Sequence, residues 1–131
     1  MMQFSSLIKN MVKEALLEDI GSGDITAELI NKDKEVRARV ITREPGIVCG
    51  LEFVREVFNQ IDPSLKLEFD VLDGDKVSKD QVLFKISGNA RSILTGERTA
   101  LNFLQTLSGT ATQTSLYVSA LSGTKTQLLD T

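Results

Sequence analysis

Apolar residues recur along this chain at two different spacings, and the alternation between those spacings divides it into elements. Over 4–20, Phe4, Leu7, Ile8, Met11, Val12, Ala15, Leu16 and Ile20 step by three and four, which predicts a helix with one apolar face. Ser5 or Ser6 suits its start and Gly21 its end. After a turn at 21–24, Thr26 can cap a short apolar stretch over 27–30. Val36, Ala38 and Val40 then alternate with Arg37 and Arg39, the signature of a half-buried strand with a charged outer side. Glu44-Pro45-Gly46 turns the chain into a short strand over 47–49. Helical spacing returns at Leu51, Val54, Val57, Phe58 and Ile61, and Asp62-Pro63 stops it. Leu65, Leu67, Phe69 and Val71 alternate again, Asp73-Gly74 turns, and 82–86 forms a further strand. A last long helix is predicted over 90–107, with Ala90, Ile93, Leu94, Ala100, Leu101, Leu104 and Leu107 on one side. The succession predicts an α+β fold: helices against a mixed or antiparallel sheet, an α/β sandwich.

Composition narrows the chemistry. The 131 residues are 41% hydrophobic and 25% charged, as expected of a soluble domain with one core. A net charge of -3, with no basic run, argues against a nucleic-acid partner. No segment reaches the ~18 apolar residues of a membrane span, and the opening residues lack the charged and apolar regions of a secretory leader, so a cytoplasmic protein is expected. Cys49 is the single cysteine, which excludes an intrachain disulfide and a multi-cysteine metal site and predicts a buried structural thiol. The chain has no histidine, so the commonest near-neutral acid, base and metal ligand is missing from any mechanism it supports. The glycines at 21 and 23 lack the spacing of a phosphate-binding loop and are read as structural.

Two patterns go beyond the fold. The stretch VLDGDKVSKDQVLFKISG over 71–88 resembles the half-barrel hammerhead of biotinyl and lipoyl carrier domains, but neither Lys76 nor Lys79 has the flanking sequence of a carrier lysine. On the last helix, Arg91, Thr95, Arg98, Asn102 and Gln105 follow one another at steps of four and three and form a single polar stripe. A solvated stripe usually mixes Lys with Glu, whereas this one combines two arginines with uncharged hydrogen-bond formers. Arginine's planar fork makes two parallel charge-assisted bonds to one carboxylate or phosphate, so the stripe is a candidate anion-binding face. The plainer alternative is that both arginines are solvated or paired with nearby acids.

The word NARSILTGERTALNFLQTLSGTAT over 89–112 resembles the signature helix of the quinolinate phosphoribosyltransferases. Three more words match that family in order: ALLEDIGSGDIT over 15–26, REPGIVCG over 43–50 and LLDT over 128–131. The resemblance implies an amino-terminal α/β sandwich over 1–107, followed over 108–131 by the first helix and strand of an incomplete α/β barrel. In that barrel segment a helix after Ser108-Gly109, capped by Gly123, leads to a strand over 126–129. A lone parallel strand leaves both edges unpaired, so a portion of a longer protein is expected. The implied activity is transfer of the phosphoribosyl group of phosphoribosyl pyrophosphate to quinolinate with Mg²⁺, releasing pyrophosphate and carbon dioxide and leaving nicotinate mononucleotide for NAD synthesis. Arg98 matches the arginine that the family extends to quinolinate in the neighbouring subunit, which implies a homodimer, and Thr131 matches the threonine that opens the family's Thr-Arg-Lys segment. The metal ligands and remaining basic site residues are expected beyond residue 131, no catalytic residue within it, and the 131 residues alone are expected to be inactive. Two rivals stand beside this: a same-fold paralogue with another acceptor, of the type linked to molybdenum-transport operons, and a noncatalytic dimerisation or carrier-like module.

Overall fold

The computed structural model describes residues 2–21 and 29–121. Among these residues eight elements follow one another: α1 (Met2–Gly21), β1 (Glu35–Ile41), β2 (Gly46–Ile47), α2 (Leu51–Ile61), β3 (Lys66–Phe69), β4 (Lys76–Val77), β5 (Val82–Asn89) and α3 (Ala90–Leu121). The predicted cap at Thr26, the cap at Gly123 and the strand over 126–129 fall outside the described residues.

The strands form two antiparallel sheets, one ordered β1-β5-β3 and one pairing β2 with β4. Register sorts side chains between the two faces of the larger sheet. Ala38, Ile86 and Leu67 align across the three strands, as do Val40, Phe84 and Phe69. These rows face the core, while Arg37, Ser87 and Lys66 align on the other face with Arg39, Lys85 and Glu68. The period-two alternation read in the sequence is therefore the inside–outside alternation of the sheet. β4 carried no sequence signal, since two residues are too short to show a period.

The core joins this sheet face to the three helices. α2 contributes Leu51, Val54, Val57 and Phe58, all buried and spaced to form one line down the helix. α1 packs through Ile8, Val12 and Leu16, one residue per turn. Phe4, Leu7, Met11 and Ile20, predicted to share that buried face, are exposed, because the line of contact is narrower than the apolar stripe. α3 lies against α2, the side chains of Ile93, Ala100 and Leu104 buried in the same cluster. Gly96 of α3 makes this approach close: a Cβ there would stand 2.7 Å from Ile61 Cδ1 and 2.9 Å from Phe58 Cε1.

Helix ends are satisfied from a distance. Gly50, the residue before α2, has φ 108, open to glycine without strain, and offers no side chain as a cap. Asp73, in the turn between β3 and β4, fills that role: its carboxylate accepts from the Leu51 N–H at 3.1 Å. At the other end of α2, the Asp62 N–H donates to the Phe58 carbonyl. α3 starts with its own cap, the Ser92 N–H donating to Asn89 Oδ1 at 3.1 Å.

A predicted helix boundary is corrected. The helix does not stop at Leu107 and restart after Ser108-Gly109; α3 runs unbroken from Ala90 to Leu121. An internal glycine costs a helix only about 1 kcal/mol, and the flanking hydroxyls are anchored. Ser108 Oγ accepts from the Cys49 N–H at 2.9 Å and donates to the Cys49 carbonyl at 3.0 Å, and Thr112 Oγ1 accepts from the Ile47 N–H at 2.9 Å. The helix thus satisfies the backbone edge at β2, and Gly46 must lack a Cβ because one would stand 2.7 Å from Thr112 Oγ1. The sequence-based division at 107/108 falls within this helix.

Candidate functional site: the outward face of α3

α3 is oriented by hydroxyls on its inward side. Ser92 Oγ donates to Asp62 Oδ2 at 2.9 Å, tying the start of α3 to the end of α2. Asp62 also accepts from the Ser64 hydroxyl at 2.6 Å and the Ser64 N–H at 3.0 Å. The Ser64 hydroxyl, then Ser92 and the Ser64 backbone, hold its carboxyl below the usual aspartate range. Seven residues on, buried Thr99 donates its hydroxyl to Asp19 in the last turn of α1. With Ser108 and Thr112 fixed on the β2 edge, the helix has little rotational freedom.

The opposite side carries the predicted polar stripe, which the structure divides. Arg98, Asn102 and Gln105 are exposed. Arg98 makes no hydrogen bond or ion pair among the described residues, so its guanidinium is available to a ligand. Arg91 is different: half-buried, it donates from Nε to the Ile30 carbonyl at 2.5 Å and holds the chain that leads into β1. Thr95 is half-buried beside it. Arg91 and Arg98 shared one sequence signal, and only burial separates the structural arginine from the open one.

Thr131 lies outside the described residues. Cys49 is half-buried rather than buried; burial, with a smaller contribution from the Asp73 charge, pushes its thiol above the ordinary cysteine value. Lys76 lies in β4 opposite Ile47 of β2, and Lys79 sits in the turn that follows. Among the described residues no three His, Cys, Asp or Glu side chains gather as a metal site, and no helix is long and apolar enough to cross a membrane. Sequence reading missed Thr99, the one buried polar residue among the described residues, since a threonine inside a helical run carries no mark of a partner eighty positions away.

The family profile described as quinolinate phosphoribosyl transferase, N-terminal domain, matches residues 24–108, which include the sheets, α2 and the Arg98 turn of α3. The chain belongs to this family. It is 44% identical over 117 residues to the chloroplastic nicotinate-nucleotide pyrophosphorylase [carboxylating] of Arabidopsis thaliana, covering 88% of this chain and 34% of that protein. A probable nicotinate-nucleotide pyrophosphorylase [carboxylating] of Bacillus subtilis is 33% identical over 124 residues, covering 95% of this chain and 43% of that one. Among solved structures, the nicotinate-nucleotide pyrophosphorylase of Francisella tularensis superposes with a TM-score of 0.91 at 47% identity, covering 97% of this chain and 46% of that chain. That of Ehrlichia chaffeensis gives 0.82 at 38% identity, over 88% of this chain and 43% of that chain. The chain thus spans between about a third and a half of the length of these family members. The match extends through the mixed helix and antiparallel-sheet fold predicted from periodicity.

Proposed function

We propose that this chain forms the amino-terminal part of a quinolinate phosphoribosyltransferase and that its contribution to the active site is Arg98. The observation that carries the reading is the guanidinium of Arg98, exposed and unpaired among the described residues, on a helix tethered through Ser92, Thr99, Ser108 and Thr112, within a domain of this family. Quinolinate presents two carboxylates on one ring, and phosphoribosyl pyrophosphate presents several phosphate oxygens. A reaction between two anions needs cations held in place before the substrates arrive. The planar guanidinium of Arg98 can bind one carboxylate through two donors. Asn102 and Gln105, one and two turns further along, add uncharged donors to the same face.

An arginine pointing away from its own core can reach a site built by another surface. In this reading that surface is the barrel of a second copy, so the enzyme works as a homodimer, in the cytoplasm. By its match to the family's Thr-Arg-Lys segment, Thr131 is assigned to substrate binding. Mg²⁺ supplies charge neutralisation to the pyrophosphate when bound. Among the described residues no acidic cluster fits it, and the family resemblance assigns its ligands to the barrel beyond residue 131.

The test uses the full-length enzyme, this chain together with the further length its relatives carry. It is expected to convert quinolinate and phosphoribosyl pyrophosphate to nicotinate mononucleotide, pyrophosphate and carbon dioxide, as read by product analysis. Consumption of a different acceptor would replace this reading with the molybdenum-operon paralogue. Arg98→Ala is expected to lower kcat/KM for quinolinate at least about tenfold, the loss of a charge-assisted bond of ~1.5 kcal/mol. Unchanged kinetics would return Arg98 to the role of a solvated side chain. The 131-residue chain by itself is expected to form no product.

A further inference from the structure

Thr99 stands next to Arg98 on α3 and is turned inward, 2% exposed. A buried hydroxyl is costly unless it is bonded, and a β-branched residue is an indifferent helix former. Valine would fill the same space, so packing does not account for threonine here. Its hydroxyl donates to the Asp19 carboxylate, a charge-assisted bond between the middle of α3 and the last turn of α1. Asp19 is equally out of place by local rules. A carboxylate in the last turn of a helix opposes the helix dipole, and that turn of α1 contains no basic residue. Each residue is disfavoured by its own element, and the bond between them is one that neither element supplies by itself.

A comparison within α3 separates orientation from mere cohesion. Ser92 and Thr99 lie seven residues apart on the same side, about 10 Å along the axis, and each donates to an aspartate at the end of a neighbouring helix. The Ser92–Asp62 bond fixes the start of α3 nearly two turns before Arg98. The Thr99–Asp19 bond fixes the turn that carries Arg98 itself.

We propose that Thr99, through Asp19, is a positioning residue for Arg98: it sets the rotation of this turn so that the guanidinium reaches its anionic substrate group. The proposal rests on the reading of Arg98 given above. Because the donor is one residue from the guanidinium, losing the bond changes where Arg98 stands rather than whether the domain folds.

The experiment compares Thr99→Val, Thr99→Ser, Ser92→Ala and Arg98→Ala in the full-length enzyme, measuring Tm and the KM for quinolinate and for phosphoribosyl pyrophosphate. Thr99→Val is expected to raise the quinolinate KM about tenfold, the scale on which a small misplacement acts, with the second KM unchanged. Thr99→Ser, which restores the hydroxyl, is expected to return the quinolinate KM to the wild-type value. Ser92→Ala is expected to lower Tm as Thr99→Val does without moving either KM. Should Thr99→Val not yield folded protein, Asp19→Ala removes the same bond from its half-buried end and carries the same expectation. If Arg98→Ala raises the quinolinate KM and the Thr99 and Asp19 variants do not, or if Ser92→Ala raises it equally, the positioning role is overturned while the reading of Arg98 stands. If Arg98→Ala itself leaves that KM unchanged, the reading of Arg98 fails and the positioning role falls with it.

Discussion

The two sides of α3 answer to different constraints. On the inward side, Gly96, Thr99 and Ala100 sit where almost any added atom meets α1, α2 or the core. On the outward side, Arg98, Asn102 and Gln105 are exposed and make no side-chain hydrogen bond or ion pair among the described residues. Residues one position apart thus differ in what they are for: Thr99 is needed to orient the helix, and Arg98 is free to be spent on a ligand. Stability should therefore answer to the inward face, and ligand binding to the outward face and to the Thr99 bond that orients it.

Four measurements break or sharpen that comparison. The largest effect belongs to the surface that α3 packs against: Phe58→Ala, at a nearly fully buried ring, is expected to cost about 3–5 kcal/mol in urea denaturation. Gly96→Ala tests the close approach. Alanine improves helix propensity, but its Cβ meets the Phe58 ring as well as the flexible end of Ile61, and a net loss of about 1 kcal/mol is expected. A gain in stability would show that α2 and α3 can separate at little cost.

A smaller effect is expected at Asp62, where the hydrogen bonds from Ser64 and Ser92 hold the carboxyl below its unfolded value. The sign follows from linkage: a lowered folded pKa contributes stability that is present above the ordinary aspartate range, about pH 4, and lost as pH falls through the folded value. The Tm difference between wild type and Asp62→Asn should accordingly be constant near neutrality and shrink in acid. A difference that persists unchanged into acid would assign the loss to something other than the carboxylate. The smallest change is expected on the open face, where Arg98→Ala should leave unfolding free energy within about 0.5 kcal/mol of wild type. A larger loss there would mean that Arg98 supports the fold and that the two faces are not independent.

Much of the fold was legible because burial writes itself into local spacing. The sheet rows Ala38–Ile86–Leu67 and Val40–Phe84–Phe69 and the α2 line through Val54 and Phe58 are all visible as periods of two or of three to four. The site was legible only through the stripe of Arg91, Thr95, Arg98, Asn102 and Gln105 and the family words around it, and the stripe could not tell one arginine from the other. Periodicity reports which side of an element a residue occupies; it does not report whether another segment covers that side. Arg91 bonded to the Ile30 carbonyl and Arg98 left open differ only in that respect.

The sequence by itself determined the order and type of the main elements, the inward face of β1 and β3 and the helix that bears the candidate arginine, because these depend on residues within a few positions of one another. Tertiary structure alone decided what depends on distant ones. Asp73 caps α2 from twenty-two positions away, Ser108 and Thr112 carry α3 past its glycine by bonding the β2 edge, and Thr99 meets Asp19 across eighty positions. A hydrogen bond needs its two partners within about 3 Å, and only the folded chain brings such pairs together.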